Sequence, residues 1–195
     1  MKFQEKLLDS FIAFEQDIDL LNPIHTDRKN ALKRFEKQGF PSKKDESWKY
    51  TSLKSIIQKN YSLSSKSDKS VELRDVKKYF LNDLDSFKIV FVDGIYSPFL
   101  SKTTHDGMDI CVLSAALSKD KYKSTLKKYF NQIVPKDESL ASLNTSYTKE
   151  GAYVYIPKDV CPEDPVQIMH ISTGNQESIW LQPRNLIIAD KNSKV

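Results

Sequence analysis

The chain has 195 residues, enough for one ordinary domain or two small domains with a buried core. Hydrophobic residues make up 39% of it and charged residues 29%, a globular composition that excludes a wholly disordered chain. The 30 basic and 26 acidic residues leave a net charge of only +4, without the strong basic bias that phosphate binding normally needs.

Two antiparallel helices are predicted at the start of the chain. Apolar residues at spacings of three and four form one face of the first helix: Phe3, Leu7, Leu8, Phe11, Ile12, Phe14 and Ile18. Pro23 ends it, because proline keeps the preceding residue out of helical geometry. Thr26 or Asp27 is expected to cap the second helix, and Gly39 is placed for a left-handed C-terminal cap.

The next segment is irregular. A serine- and lysine-rich stretch over 62–70 is the most linker-like part of the sequence. A short helix is predicted over 71–81, which completes an amino-terminal helical domain that we assign to 1–86.

After residue 86 the hydrophobic period changes to that of strands. Residues 87–92 are rich in branched and aromatic side chains, and Asp93-Gly94 then predicts a hairpin, since both positions tolerate positive φ. The second arm would carry 95–96 and 99–100, and Pro98 would shorten it or confine it to an edge.

Another strand is predicted around Cys111, and a helix returns over 118–134, ended by Pro135. The apolar stripe of this helix is formed by Tyr122, Leu126, Tyr129, Phe130 and Ile133. Four further strands are predicted over 152–157, 166–171, 179–181 and 186–189. Short strands in quick succession predict a sandwich, a barrel or a β-solenoid.

The last predicted strand, 186–189, is followed by no capping segment, so a solenoid that stopped at Val195 would expose its next stacking face. The sequence is therefore expected to be interrupted there. We assign 87–195 to the beginning of a strand-rich core, with a helical insertion around 114–134.

Signatures of enzymes and metal sites are sparse. The five glycines are isolated, which excludes a P-loop and a dinucleotide fingerprint. Cys111 is predicted to be a small buried hydrophobe and Cys161 to lie in an exposed turn, where oxidation or binding of a soft metal stays open. His170 shares a strand face with Val166 and Ile168 and is predicted to be a core residue. A thiol enzyme at either cysteine is the less favoured alternative.

The helix at 118–134 also carries a basic face, formed by Lys119, Lys121, Lys123, Lys127 and Lys128. With Tyr122 and Tyr129 nearby, this face could track a nucleic-acid backbone. A solvated helix face is favoured, because both tyrosines belong to the apolar stripe. A small nucleic-acid-binding module stays the alternative function.

The start of the chain lacks the apolar run of a secretory signal, and no run is long enough to span a membrane. Two cysteines fifty positions apart do not make a disulfide framework. A reducing cytoplasm is the expected compartment.

Residues 39–53, which include Trp48-Lys49-Tyr50-Thr51, resemble the amino-terminal signature of the SufD family of iron–sulfur cluster assembly proteins. Three later segments agree in the same order: Val90-Phe91-Val92-Asp93-Gly94, Leu143-Asn144-Thr145 leading to 151–157, and Pro183-Arg184-Asn185-Leu186-Ile187-Ile188. Each match is weak alone, and four in register are strong.

The resemblance implies an α+β chain, with an amino-terminal helical domain followed by the start of a right-handed parallel β-helix. It also implies a non-enzymatic scaffold that pairs with a SufB-like paralogue and a SufC-like ATPase in the full-length protein. The resemblance further implies that the residues tied to cluster formation and to ATPase docking lie outside this chain, so no catalytic, metal or cofactor residue is assigned here.

Four structural anchors are proposed. Trp48 and Tyr50 are expected to hold the segment between the helical pair and the core, since each offers a large apolar body and one donor. If Trp48 is buried, its replacement by alanine should cost about 3–5 kcal/mol. Asp93 and Gly94 are expected to fix the hairpin.

Overall fold

The computed structural model describes residues 3–18, 24–59, 61–62, 71–81, 84–105, 107–174 and 178–194. Its helices are α1 (Phe3–Gln16), α2 (His25–Gln38), α3 (Lys54–Ile57), α4 (Leu73–Val76), α5 (Leu113–Ser118), α6 (Asp120–Tyr129) and α7 (Ser139–Tyr147). Its strands are β1 (Phe87–Val92), β2 (Ile95–Tyr96), β3 (Asp109–Val112), β4 (Ala152–Ile156), β5 (Val166–Ile171) and β6 (Leu186–Ala189). The predicted stop at Pro23 and nearly all of the 62–70 linker lie outside the described residues.

The first two helices form where they were predicted, but two details are wrong. Ile12 does not belong to the buried face of α1, since its side chain is 68% exposed. Neither Thr26 nor Asp27 caps α2, which begins at His25 without a side-chain cap bond. The buried Ile24 occupies the N-cap position instead, so apolar burial sets the start of this helix. Gly39 does end α2, with φ at 67° and its N–H donated to the Phe35 carbonyl.

The core of the helical part includes α7, which hydrophobic periodicity did not predict. α7 packs extensively against α2, and the shared core contains Phe3, Leu7, Phe11, Phe35, Leu143 and Tyr147. Buried hydroxyl residues of this helix, such as Ser142, Thr145 and Ser146, hide its apolar pattern. This core therefore joins residues on both sides of the predicted boundary at residue 86.

Where one helix over 118–134 was predicted, the structure has α6, preceded by the separate short helix α5, and α6 ends earlier than predicted. Lys119 is extended and separates α5 from α6. Asn131, with φ at 56°, turns the chain after Tyr129, well before Pro135. Ile133 is consequently 89% exposed and was wrongly placed on the apolar stripe. Tyr122, Leu126 and Phe130 are buried as predicted, against Tyr153 and Ile188 of the strands.

In the part of the chain that the structure describes, the strands form two three-stranded sheets, in the orders β2-β1-β5 and β3-β4-β6. β5 runs parallel to β1 and β6 runs parallel to β4, whereas β2 and β3 are antiparallel to their neighbours. The predicted strand over 179–181 is only an isolated parallel bridge between Ser62 and Ile179. Residues 98–100 form a 3-10 turn and not a hairpin arm, as the proline had indicated.

The two sheets share one core. Ile89 and Phe91 of β1 are packed with Ile110 of β3 and with Val154 and Ile156 of β4. The chain is thus α+β with a helical start, as predicted, and the sheets that follow are mixed.

Candidate functional site

The described residues form a cleft of about 600 Å³. It lies between α1, the β1–β2 hairpin, β5 and the segment 180–183. Six of its lining side chains are aromatic rings, those of Phe14, Phe91, Tyr96, Tyr147, His170 and Trp180. Its ionisable groups besides His170 and the tyrosines are Asp17, Lys149 and Glu150.

His170 is not the core residue that the strand pattern predicted. Its side chain is exposed at the cleft and stacks on Phe91, with ring centroids 4.8 Å apart and planes 10° apart. Val166 and Ile168 lie on the same face and are half-buried, and both pack against the core that the two sheets share. Partial burial lowers the pKa of His170, so its neutral form is favoured.

Burial raises the pKa of the Glu150 carboxyl group. Ser10, the hydroxyl on the α1 wall, donates to the Lys6 carbonyl of its own helix at 2.6 Å. The described lining thus brings no nucleophile together with a base and an orienting group. By its chemistry the cleft is suited to hold an apolar or aromatic group.

Asp93 and Gly94 form the two-residue hairpin turn that was predicted. Their φ values are 46° and 79°, and Val92 pairs with Ile95 across the turn. The Asp93 side chain is 1% exposed, and its carboxylate accepts bonds from the Thr173 N–H at 3.0 Å and hydroxyl at 2.7 Å. The turn therefore also fastens the segment that follows β5.

Replacing Asp93 by alanine should lower the free energy of unfolding by about 2–3 kcal/mol, because two buried bonds to Thr173 are lost. Alanine also tolerates the positive φ poorly. Asp93→Asn is the matched control, since asparagine tolerates this conformation and can bond both Thr173 groups. Urea unfolding measures the difference, and equal losses for the two variants would contradict this role.

Tyr50 does not anchor the segment between the helical pair and the core, because its side chain is 91% exposed. Trp48 is half-buried, and neither residue packs on another aromatic ring in the described part of the chain. The burial on which the expected 3–5 kcal/mol for Trp48 depended is therefore incomplete. An aromatic cluster that the sequence did not reveal joins these parts instead, formed by Phe3, Phe40, Tyr61 and Trp180.

The lysines of the 119–128 face are exposed, and two are paired with carboxylates. Lys121 lies 2.9 Å from Asp109, and Lys123 lies 2.7 Å from Asp120. Tyr122 is buried against Tyr153 and Tyr129 is half-buried, so no fully exposed ring accompanies these lysines. This arrangement fits a solvated helix face better than a nucleic-acid surface.

The cysteines lie in different settings. Cys111 is half-buried in β3, where burial raises the pKa of its thiol. Cys161 is exposed in a loop, as predicted. Among the described residues, no group of three or more His, Cys, Asp or Glu side chains could hold a metal ion. In the same part of the chain no helix has the length and apolar character required to cross a bilayer.

Comparison with known proteins gives the family. A family model described as the SufBD protein N-terminal region matches residues 1–168. The chain belongs to the SufBD family. The family resemblance found in the sequence motifs is thereby confirmed.

Curated SufBD relatives support this family assignment. The iron–sulfur cluster assembly SufBD family protein slr0076 of Synechocystis is 24% identical over 155 residues, 80% of this chain and 34% of that protein. The SufBD family protein ycf24 of Guillardia theta is 33% identical over 152 residues, 69% of this chain and 31% of that protein. The iron–sulfur cluster assembly protein SufD of Escherichia coli is 28% identical over 147 residues, 73% of this chain and 30% of that protein. The chain thus spans about a third of the length of these relatives.

Two of the segments that carry the SufBD resemblance meet in space. Arg184 donates to Asn144 at 2.8 Å and to Asn131 at 2.6 Å, and its guanidinium lies 5.8 Å from the centre of the Phe130 ring. Asn144 donates in turn to Gln182 and to the Pro183 carbonyl. These bonds join the turn after α6, the helix α7 and the segment leading into β6.

Proposed function

We propose that this chain acts in iron–sulfur cluster assembly as a non-enzymatic scaffold component, through contacts with SufB-like and SufC-like proteins. Membership of the SufBD family supports a role in iron–sulfur cluster assembly, because the similar proteins of Synechocystis and Escherichia coli are named as iron–sulfur cluster assembly proteins. The scaffold role rests on the way in which the strands stack.

Three consecutive segments of the chain form a second layer on a first one. β5 lies parallel on β1, Ile179 lies parallel on Ser62, and β6 lies parallel on β4. The segments at 166–171, 179 and 186–189 thus lie on three separate parts of the first layer, always in the parallel sense. This connectivity supports our proposal that these segments are two stacked coils of a right-handed parallel β-helix.

The outer edge of the second layer has free backbone groups. The Asp93 N–H bonds to the Ile171 carbonyl and the Asp190 N–H bonds to the Ile156 carbonyl. Because pairing alternates along parallel strands, Ile168 and Ile187 then direct their backbone groups away from the first layer. Within the described residues these groups meet no further strand.

An edge of this kind is a template for further strands. The curated relatives extend well beyond the matched third, so further coils of a full-length protein are the occupant that we propose. A stack of such coils is a rigid, elongated body, which suits a subunit that holds partners in place.

Co-purification tests the proposed function. The tagged protein, expressed from its own gene with the SufB-like and SufC-like proteins of the same genome, should elute with both as one complex. Depletion of the protein should lower the specific activity of a cellular iron–sulfur enzyme while the amount of that enzyme stays constant.

A complex of the other two proteins that forms equally well without this one would overturn the proposal. The nucleic-acid alternative predicts a different outcome, namely co-elution with RNA that nuclease treatment removes and that added salt weakens.

A further inference from the structure

The loop between α2 and α3 presents its aromatic motif to solvent. Tyr50 is 91% exposed, the Lys49 ammonium lies 5.6 Å from the centre of its ring, and Trp48 is half-buried. The loop is held by other groups, since the Asp45 carboxylate accepts bonds from the Ser42 N–H at 2.7 Å and hydroxyl at 3.2 Å. The surface of these rings is therefore free for contact with another molecule.

A groove of about 270 Å³ lies at the base of this loop. One wall is the entry of the loop, with Phe40 and Pro41, and the other is its exit, with Leu53 and Ile57. Phe40 and Ile57 also pack against the buried core of the helical part, so this side of the groove is firmly supported. Its size and lining suit one apolar side chain from outside.

The rim of the groove is positive. Residues 43–59 contain five lysines and two acids, Asp45 and Glu46. Asp45 bonds Ser42, and Glu46 lies 3.9 Å from Lys49. In the described structure Lys43, Lys44 and Lys54 have no carboxylate partner. These three ammonium groups are available to an acidic partner.

We propose that this surface, the 40–58 docking surface, binds an acidic segment of a partner protein. One apolar side chain of the segment enters the groove, neighbouring carboxylates pair with Lys43, Lys44 and Lys54, and the exposed ring of Tyr50 on the same loop adds a further contact. Tyrosine is enriched in interface hot spots, and polar groups are typical of an interface rim.

The observations favour a protein over other occupants. A nucleic-acid backbone has no apolar side chain for the groove, and a lipid surface would meet one fully exposed ring and no amphipathic helix. The surface is built from residues 40–58 alone and uses none of the strand edges. The proposed docking role is therefore independent of the proposed scaffold function, and either can be tested without the other.

Photo-crosslinking in cells locates the partner. Benzoylphenylalanine in place of Tyr50 should crosslink to a protein segment in which acidic residues flank an apolar one, at least tenfold more strongly than the same group in place of Phe99. Phe99 is the matched control, since its side chain is fully exposed on a different element. Equal crosslinking at both positions, or crosslinks to RNA, to lipid or to a second copy of this chain, would overturn the proposal.

Binding of a synthetic peptide with the crosslinked sequence then tests the contacts in the purified protein. Tyr50→Ser, and Lys43→Glu combined with Lys44→Glu, should each weaken binding roughly tenfold or more. Added salt should weaken binding to the unsubstituted protein. Lys127→Glu combined with Lys128→Glu is the control for net charge and should change the affinity less than twofold.

The substituted side chains are exposed, so all variants should keep the melting temperature of the parent. A Lys43→Glu, Lys44→Glu variant that binds within twofold of the parent would refute the acidic partner.

Discussion

Replacing Gly151 by alanine should destabilise the protein by about 3 kcal/mol or more, because no space exists for a Cβ atom. A Cβ built on Gly151 would lie 1.9 Å from the Arg184 carbonyl oxygen and 2.5 Å from its carbon. Both atoms belong to backbone, so no side-chain rotation can relieve the clash. The two chain segments must move apart.

That movement would break several contacts at once. The Arg184 N–H donates to the Glu150 carbonyl at 3.1 Å, and the Ala152 N–H donates to the Asn185 side chain at 2.8 Å. On the other side, the Gly151 carbonyl accepts from the Leu113 N–H at 2.7 Å. The expected loss corresponds to a fall of about 6–12 °C in melting temperature for a chain of this size.

Gly174→Ala is the matched control for this prediction. Gly174 has φ at 73° but no atom within 4 Å of the position of its missing Cβ. Alanine there should cost only about 1–2 kcal/mol of backbone strain. Calorimetric melting of both variants separates the two effects. A Gly151→Ala protein that melts no lower than Gly174→Ala would show that the two segments are not in close contact.

The sequence predicted best those features that depend on neighbouring residues. The Asp93-Gly94 turn, the strand β1 and the burial of Phe3, Leu7 and Phe11 on α1 follow from propensity and period, and all three are confirmed. Gly39 ends its helix for the same local reason. Such features need no knowledge of what packs against them.

Features that depend on distant parts of the chain were missed. α7 carries hydroxyl groups that are buried only because other elements pack over them, so its sequence looks polar. The cleft combines α1, β5 and the segment 180–183, and no local pattern reveals that these meet. His170 was misplaced for the same reason, since a strand period cannot tell a core face from a cleft wall.

The two tryptophans illustrate why a local pattern does not identify the residues that anchor the fold. Of the two tryptophans, Trp48 was chosen because it stands in a recognisable motif, yet Trp180 is the one packed among Phe3, Phe40 and Tyr61. A motif marks a position that matters to a family without telling whether it serves folding or contact. The exposure of Tyr50 favours contact here.

Arg28 is the residue for which we expect the second large effect. It is 2% exposed, and its Nε and Nη2 atoms donate to the Thr148 carbonyl at 3.0 and 2.8 Å. Its third nitrogen, Nη1, has no partner in the described structure. Burial lowers the pKa of Arg28 to about 10, so the guanidinium still carries its charge at pH 7.

This arrangement places a cation at the carboxyl end of α7, which ends at Tyr147. The last carbonyls of a helix lack partners inside it and carry partial negative charge, so a buried cation is favourable there. Arg28 thus ties α2 to α7, the two helices that pack most extensively in the helical core.

Arg28→Ala should therefore cost about 4 kcal/mol, from the cavity that it leaves and from the buried Thr148 carbonyl that loses its donors. Arg34→Ala is the matched control, because Arg34 also joins α2 to α7, by a bond of 3.3 Å to Ser142, but is only half-buried. It should cost about 1 kcal/mol. Urea unfolding at pH 7 compares the two variants directly.

Arg28→Met separates packing from charge. Methionine fills most of the volume and removes the cost of burying a cation, yet it leaves the Thr148 carbonyl without a donor, so a loss of about 2 kcal/mol is expected. If Arg28→Met were as stable as the parent while Arg28→Ala was not, Arg28 would act by volume alone. The attachment of α2 to the end of α7 would then rest on apolar packing, and the charge at this helix end would contribute nothing.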